Sequence, residues 1–449
     1  MSTKYIQDMT EGNVVSHLIK FSLPMLIGNI FQQFYNLIDA VVVGKIVGED
    51  AFAAVGSTQS ISFLFFSVVL GFASGIGIII SQYFGAKDDA QVKKAITNSI
   101  YVIGIVAIFM SLLAIFLADP FLRFMKTPPT LIHDASTFLK IVSGGMIAVA
   151  SYNAIAFILR SLGDSKTPLY FLIASCVLNI ILDIIFVLFL GFGVGGAAFA
   201  TVISQAFAAL GCIIFAVKTN PYFKLKAQDF KPSYPIITKC IRIGVPVAIQ
   251  NSVIAVSLVS LQSVVNTFGK TAMAAFTGIG RIEQLIQQPF NSLGAAMATF
   301  AGQNMGANKI ERVKQGYHKS ILIVAVFSLC ALIVAQFGGR TIMHLFVNDQ
   351  KVINLGATGI RITSCMYFGL GMIYITRGLL NGTGDAFYSL INGFIEVFGR
   401  VGFALWLVTI PSIGIWGIWG TTALTWFITA TASVIRYKQG KWKKKSLVN

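Results

Sequence analysis

The chain has 449 residues, of which 55% are hydrophobic and only 11% charged, with a net charge of +17. Soluble domains carry about 25% charged residues, so this composition excludes an ordinary soluble protein. Apolar runs of 20 or more residues recur along the whole length, each long enough to cross a bilayer as a helix.

Lipid cannot satisfy backbone polar groups, so such runs are helices or strands of a closed barrel. They are continuous rather than alternating, which selects helices. Breaks at charge, Gly and Pro clusters place spans near 14–43, 51–82, 95–118, 134–159, 168–190, 194–217, 240–266, 272–302, 319–338, 352–376, 387–410 and 414–436. The fold class expected is therefore an all-α polytopic membrane protein with twelve transmembrane helices. The first residues are polar and the first apolar run is itself long enough to span, so no cleavable signal peptide is expected. A Pro- and Lys-rich break divides the chain almost in half. The expected layout is a six-helix bundle over 1–217, a linker over 218–239, a second six-helix bundle over 240–436 and a basic tail over 437–449.

The positive charge is unevenly distributed. With the N-terminus inside, one face holds Lys4, Lys20, Lys87, Lys93, Lys94, Arg160, Lys166, the linker lysines, Lys309, Arg312, Lys314, Lys319, Arg377 and the tail "KQGKWKKK". The other has Lys45, Arg123, Lys126, Lys270, Arg340 and Lys351, with Lys140 and Arg361 near span ends. This positive-inside pattern predicts both termini in the cytoplasm. It accounts for the charge without nucleic acid, and the tail reads as a membrane-surface anchor. Cys176, Cys212, Cys240, Cys330 and Cys365 lie in or beside spans without CxxC spacing, and the histidines are scattered. Neither a disulfide framework nor a metal cluster is expected.

Shifted by about 221 residues, the chain matches itself: "GEDAFAA" at 48 over "GKTAMAA" at 269, "SQYFGA" at 81 over "GQNMGA" at 302, "LRSLGD" at 159 over "LNGTGD" at 380. Each half holds six spans, an even number, so both enter the membrane in the same direction. This is a parallel 6+6 repeat with a pseudo-twofold axis along the membrane normal, and a substrate would bind between two such bundles.

The halves differ in their buried charges. Asp39 is the only charged residue from Phe21 to Val43, where an unpaired carboxylate costs a few kcal/mol. Gly28, Gln32, Tyr35 and Asp39 form a small and polar stripe on span 1, and Ser175, Asn179 and Asp183 line one face of span 5. In the second half Glu396 replaces Ser175, Arg400 replaces Asn179 and Ala404 replaces Asp183. Glu396 and Arg400 form an i,i+4 pair that neutralises itself. Asp39 and Asp183 cannot do so, and two such acids attract a cation or share a proton. The structural alternative is that Asp39 only hydrogen-bonds at a helix contact.

In this order and spacing, "SLPMLIGN" followed by "NLIDAVVVG", "LRSLGDSKTP", "LNIILDIIFV" and "RGLLNGTGD" resemble the multidrug and toxic compound extrusion (MATE) transporters over nearly the whole chain. The resemblance implies cation-coupled efflux of amphiphilic, often cationic compounds by alternating access. It also implies a cation site at Asp39, Asn179, Asp183 and Thr201, the last supplied by the resemblance alone. Oxygen ligands suit Na⁺, and the same carboxylates can carry H⁺; no other cofactor is expected. One branch of the family has acids in spans 7 and 10. Here those spans read "IQNS" and "CMYFGLGMIYIT", closer to the DinF-like and MepA-like groups, and no acid is available there for a second cation site.

Pro24 removes a backbone hydrogen bond in span 1 and is the expected hinge. Met25, Gln32, Tyr35, Tyr152, Asn153, Gln250, Asn251, Glu283 and Gln287 are candidate substrate-cleft residues, with core packing as the alternative for the apolar ones. A lipid or lipid-linked oligosaccharide flippase of the same superfamily would need an arginine-lined cleft, and only Arg281 and Arg400 are available. An intramembrane enzyme would need a nucleophile–base pair or metal ligands within the spans, and no intramembrane His exists. "GFGVGG" at 191–196 fits a dinucleotide motif but lies between two spans rather than in a βαβ unit, so it reads as a turn. The expected protein is a multi-pass, monomeric transporter of a prokaryotic plasma membrane. Its partners are a small-molecule substrate and the bilayer.

Overall fold

The computed structural model describes residues 5–125 and 127–448; Lys4 and Lys126, counted among the charges above, lie outside them. Fourteen α-helices and short turns make up the described residues, with no strand among them. The first repeat contains α1 (Val14–Val42), α2 (Glu49–Gly85), α3 (Asp89–Phe124), α4 (Pro129–Gly144), α5 (Met146–Ser161), α6 (Lys166–Asp183) and α7 (Gly193–Thr219). The second contains α8 (Tyr234–Asn266), α9 (Lys270–Gly306), α10 (Ile310–His344), α11 (Gln350–Ser364), α12 (Tyr367–Gly382), α13 (Ala386–Leu407) and α14 (Gly417–Gln439).

Backbone conformation repeats with the same 221-residue period as the sequence. Positive φ recurs at Gly48 and Gly269, Lys87 and Asn308, Gly163 and Gly384, and Gly193 and Gly414. The fourth span of each repeat is interrupted at corresponding places, Gly145 and Met366, and the α4–α5 break bends the span by 48°. Counting each interrupted pair as one span gives six per repeat and the expected twelve. Among the described residues, eight helices are individually long and apolar enough to cross a membrane, or nine with α4–α5 counted as one span. The repeat assigns the remaining spans to α8, α9 and α11–α12. Of these, α9 carries Arg281, Glu283, Gln284, Gln287 and Gln288. Several helices outrun the spans expected for them: α2, α3, α9 and α10 have 35 to 37 residues. At 1.5 Å per residue they exceed about 50 Å, against a hydrocarbon core of about 30 Å. Their polar ends, such as Asp89 to Lys94 on α3, interrupt the apolar run without interrupting the helix.

The chain packs as two compact units whose limits differ from those of the repeats. Unit 1 comprises the N-terminal residues up to Met9, Leu23–Ser252 and the chain from Leu447 onward; unit 2 comprises Thr10–Ser22 and Val253–Ser446. Thus α1 changes unit between Ser22 and Leu23, and α8 between Ser252 and Val253.

In unit 1, two π-helical turns, Val43–Val47 and Ile184–Phe189, extend α1 and α6. Val43 and Val187 from these turns pack with Ala51, Val194 and Ala197 into a buried cluster. The linker folds onto α3: Tyr101 Oη donates to the Phe230 carbonyl at 2.7 Å and Ser233 N–H to Asn98 Oδ1 at 2.8 Å. The first half of α8 lies close on α2, where a Cβ on Gly71 or Gly75 would overlap the backbone of Ala248 or Gly244.

Unit 2 uses the same device between α9 and α12. A Cβ on Gly378 or Gly382 would overlap the carbonyls of Gly294 and Ala298. The tail is partly folded: Trp442 is fully buried, stacks on Tyr437 at 5.7 Å and donates from Nε1 to the Tyr437 carbonyl at 3.0 Å. Lys441, Lys443, Lys444 and Lys445 around it are exposed.

Candidate functional site

Three helices of unit 1 bring the intramembrane polar residues together. On α6, the i,i+4 spacing turns Ser175, Asn179 and Asp183 to one side, and all three are buried, Asp183 completely. Ser175 Oγ donates to the Ser204 carbonyl of α7 at 2.8 Å, which pins the two helices. Thr201, one turn before Ser204 on α7, donates to the Ala197 carbonyl at 3.1 Å and shares a 3.2 Å hydrogen bond with Tyr35 Oη of α1. With its amide oriented by its partners, Asn179 donates to Asp183 Oδ2 at 2.8 Å and accepts from Thr201 N–H at 3.1 Å.

Asp39 reaches this group from α1, and its carboxyl meets that of Asp183 within hydrogen-bonding reach. Oδ1 of each carboxyl is buried and accepts no hydrogen bond. Among the described residues neither acid takes part in an ion pair. Two unit charges about 4 Å apart repel by about 4 kcal/mol at an effective dielectric of 20. The contact is therefore stable only when a proton is shared or a cation lies against both carboxyls. Each acid stands next to a π-helical turn: Asp183 immediately precedes Ile184–Phe189, and Asp39 lies four residues before Val43–Val47. Such turns recur at functional sites because they re-aim side chains.

Unit 2 has no counterpart of this pair. The expected Glu396–Arg400 pair is present, with Arg400 Nη2 donating to Glu396 Oε1 at 2.9 Å, but it is one side of a triad. Arg377 Nη2 donates to Glu396 Oε2 at 2.6 Å and to Asn392 Oδ1 at 3.2 Å, and Arg400 Nη1 donates to Ser257 Oγ at 2.7 Å. Arg377, counted above with the charges of one membrane face, packs its side chain within unit 2, 15% exposed. Nothing in its local sequence signals this, since it stands 19 residues from Glu396 on another span. The triad is not self-neutral. Glu283 on α9 lies nearby, beside Thr363 and within electrostatic reach of Arg400, and its Oε1 has no hydrogen-bond partner.

The other residues singled out in the sequence are dispersed. Pro24 is buried in α1, which runs as one α-helix through it. Met25 is buried and Gln32 half-buried on the same helix. Tyr35 belongs to the carboxylate group rather than standing apart from it. Tyr152 donates to the Pro168 carbonyl at 3.1 Å, and Asn153 donates to the Val149 carbonyl at 2.8 Å, so both use their polar atoms within unit 1. Gln250 is buried with Nε2 unpartnered, and Asn251 is half-buried, both in the part of α8 that belongs to unit 1. Glu283 and Gln287 belong to unit 2, where Gln287 Oε1 accepts from Tyr374 Oη at 3.0 Å. Sequence reasoning missed Ser257 and Asn392, ordinary polar residues whose importance comes only from the arginines they meet.

The MatE family model matches the chain twice, over residues 24–185 and 246–406. The "Probable multidrug resistance protein YpnP" of Bacillus subtilis is 27% identical over 449 residues, covering 98% of both chains. The "Multidrug export protein MepA" of Staphylococcus saprophyticus is 24% identical over 97% of this chain and 94% of that protein. A crystal structure described as MATE in the bent conformation superimposes with a TM-score of 0.92 at 25% identity, covering 99% of each chain.

Proposed function

The chain belongs to the MatE family, and on that footing we propose that it is a cation-coupled antiporter expelling amphiphilic, predominantly cationic organic compounds by alternating access. One observation carries this reading: Asp39 and Asp183 meet within unit 1 with no basic partner among the described residues, so the pair must take up a proton or cation. The names of relatives, multidrug resistance and multidrug export proteins, support the substrate class. The Lys/Arg bias supports both termini in the cytoplasm of a prokaryotic plasma membrane, with the monomer as the working unit.

Asn179 bears on the choice of ion. An amide nitrogen turned to Asp183 Oδ2 supports a carboxyl pair completed by a proton. A sodium ion would recruit the amide oxygen, which requires the amide to turn round. The test is efflux of a fluorescent cationic dye from proteoliposomes under separately imposed H⁺ and Na⁺ gradients. The proton gradient is expected to drive efflux; indifference to both gradients sinks the coupling proposal.

The flippase reading loses support from the triad. Arg400, one of the two arginines available to a phosphate, is already bound to Glu396 and Ser257.

Pro24 is the proposed hinge. It removes a main-chain hydrogen bond two residues after α1 passes from unit 2 to unit 1, where a bend would let the two parts of the helix follow different units. Cation occupancy can bias such a bend only through unequal affinity for the two shapes. Pro24→Ala is therefore expected to slow dye efflux several-fold while leaving cation affinity, measured by calorimetry, within about two-fold. Parallel loss of both, or normal efflux, removes the hinge.

A further inference from the structure

The end of the chain occupies a specific place in unit 1. Leu447 is buried, and its N–H donates to Gln82 Oε1 of α2 at 2.7 Å. Its carbonyl accepts from Lys239 Nζ of α8. Gln82 is itself fully buried. Lys239 also donates to Tyr83 Oη at 3.0 Å and lies 5.2 Å from that ring. No acid pairs with Lys239 among the described residues, so Leu447 supplies an acceptor to a half-buried ammonium. One residue thus holds two helices through both of its main-chain polar groups. Those helices meet along the glycine seam described above, at Gly71 with Ala248 and Gly75 with Gly244. They belong to different repeats, α2 to the first and α8 to the second.

We propose that the C-terminal residues around Leu447 act as a pin that holds the α2–α8 seam closed. The pin must leave before these helices part. Without the tail, Gln82 Oε1 would lose the Leu447 N–H and Lys239 would lose the Leu447 carbonyl while keeping Tyr83. That loss is costly for the closed state and makes tail docking favourable whenever the seam is shut. Trp442, stacked on Tyr437 and fully buried, holds the tail five residues upstream, so release concerns only the last few residues. The exposed lysines between these points need no partner in the fold, and the pin works through main-chain groups that no charge pattern reveals.

The seam has a built-in reporter. Cys240 is 1% exposed and lies one helical turn before Gly244, on the stripe of α8 that faces α2. The test uses the full-length protein in membranes with Cys176, Cys212, Cys330 and Cys365 replaced by Ala, leaving Cys240 as the single thiol, and measures its labelling by a membrane-permeant maleimide. Deleting residues 447–449 is expected to speed labelling at least about ten-fold, the factor for losing one charge-assisted hydrogen bond. Leu447→Pro removes the N–H that Gln82 accepts and keeps the rest of the tail; it is expected to speed labelling several-fold. If the truncated chain fails to reach the membrane, Leu447→Pro decides alone. Labelling of Leu447→Pro at the rate of the parent single-thiol protein overturns the proposal. Because the readout is thiol access, it stands apart from whether the protein couples efflux to a cation.

Discussion

Asp39→Asn and Asp183→Asn are each expected to abolish gradient-driven dye efflux in proteoliposomes while leaving the protein folded. Asparagine keeps the shape of the side chain and cannot bind or release a proton. At position 183 the consequence can be followed atom by atom. The new amide oxygen still accepts from Asn179, which now donates to Asp183 Oδ2 at 2.8 Å. The new amide nitrogen can donate to the Asp39 carboxylate, taking the place of the shared proton. The variant therefore imitates the loaded site permanently, and coupling fails because the site cannot be emptied. Because the contact is stable only with a proton or cation between the acids, a neutral amide in place of one carboxyl removes no favourable pairing. It also spares the site the repulsion of about 4 kcal/mol that an unloaded pair would feel. The thermal midpoint in detergent should accordingly hold or rise. If instead Asp39 only glues α1 to its neighbours, the midpoint falls and efflux persists in the protein that remains. Near-normal driven efflux by both variants sinks the cation site.

The largest stability loss is expected from Glu396→Gln. Glu396 takes one bond from Arg377 at 2.6 Å and one from Arg400 at 2.9 Å, with side-chain exposures of 15% and 6% for the two arginines. Neutralising the central acid takes the ion-pair partner from both guanidinium groups, and breaking one buried pair alone costs about 3–5 kcal/mol. Arg377→Gln or Arg400→Gln should cost less, because each leaves the other arginine still paired with Glu396. An isolated Glu396–Arg400 pair would predict that Glu396→Gln combined with Arg400→Gln restores most of the stability. The triad predicts only partial recovery, since Arg377 then keeps Asn392 alone; adding Arg377→Gln should recover more. Thermal unfolding followed by fluorescence-detected size exclusion ranks these variants. Equal losses for the three single changes, or full recovery in the double variant, rule out the triad.

The contrast between pair and triad shows where local sequence information stops. The i,i+4 spacing of Glu396 and Arg400 places them on one helix face whatever surrounds the helix, so their contact was legible. Ser175, Asn179 and Asp183 share a face for the same reason. Hydropathy likewise marks the spans, because a bilayer imposes a minimum apolar length on each helix independently of the others. The 221-residue repeat is visible in the sequence because equivalent turns need equivalent residues, as the paired positive-φ positions confirm. Long-range pairings carry no such local signature. Tyr35 meets Thr201 across 166 residues, and Leu447 meets Gln82 across 365. Arg377 turns its guanidinium to Glu396, and α1 and α8 each divide between two units. Helical period decides which residues share a face. Which faces meet is decided by steric fit between helices, such as the glycine contacts of α2 with α8 and α9 with α12, and by the need to satisfy buried charges in a medium that cannot solvate them.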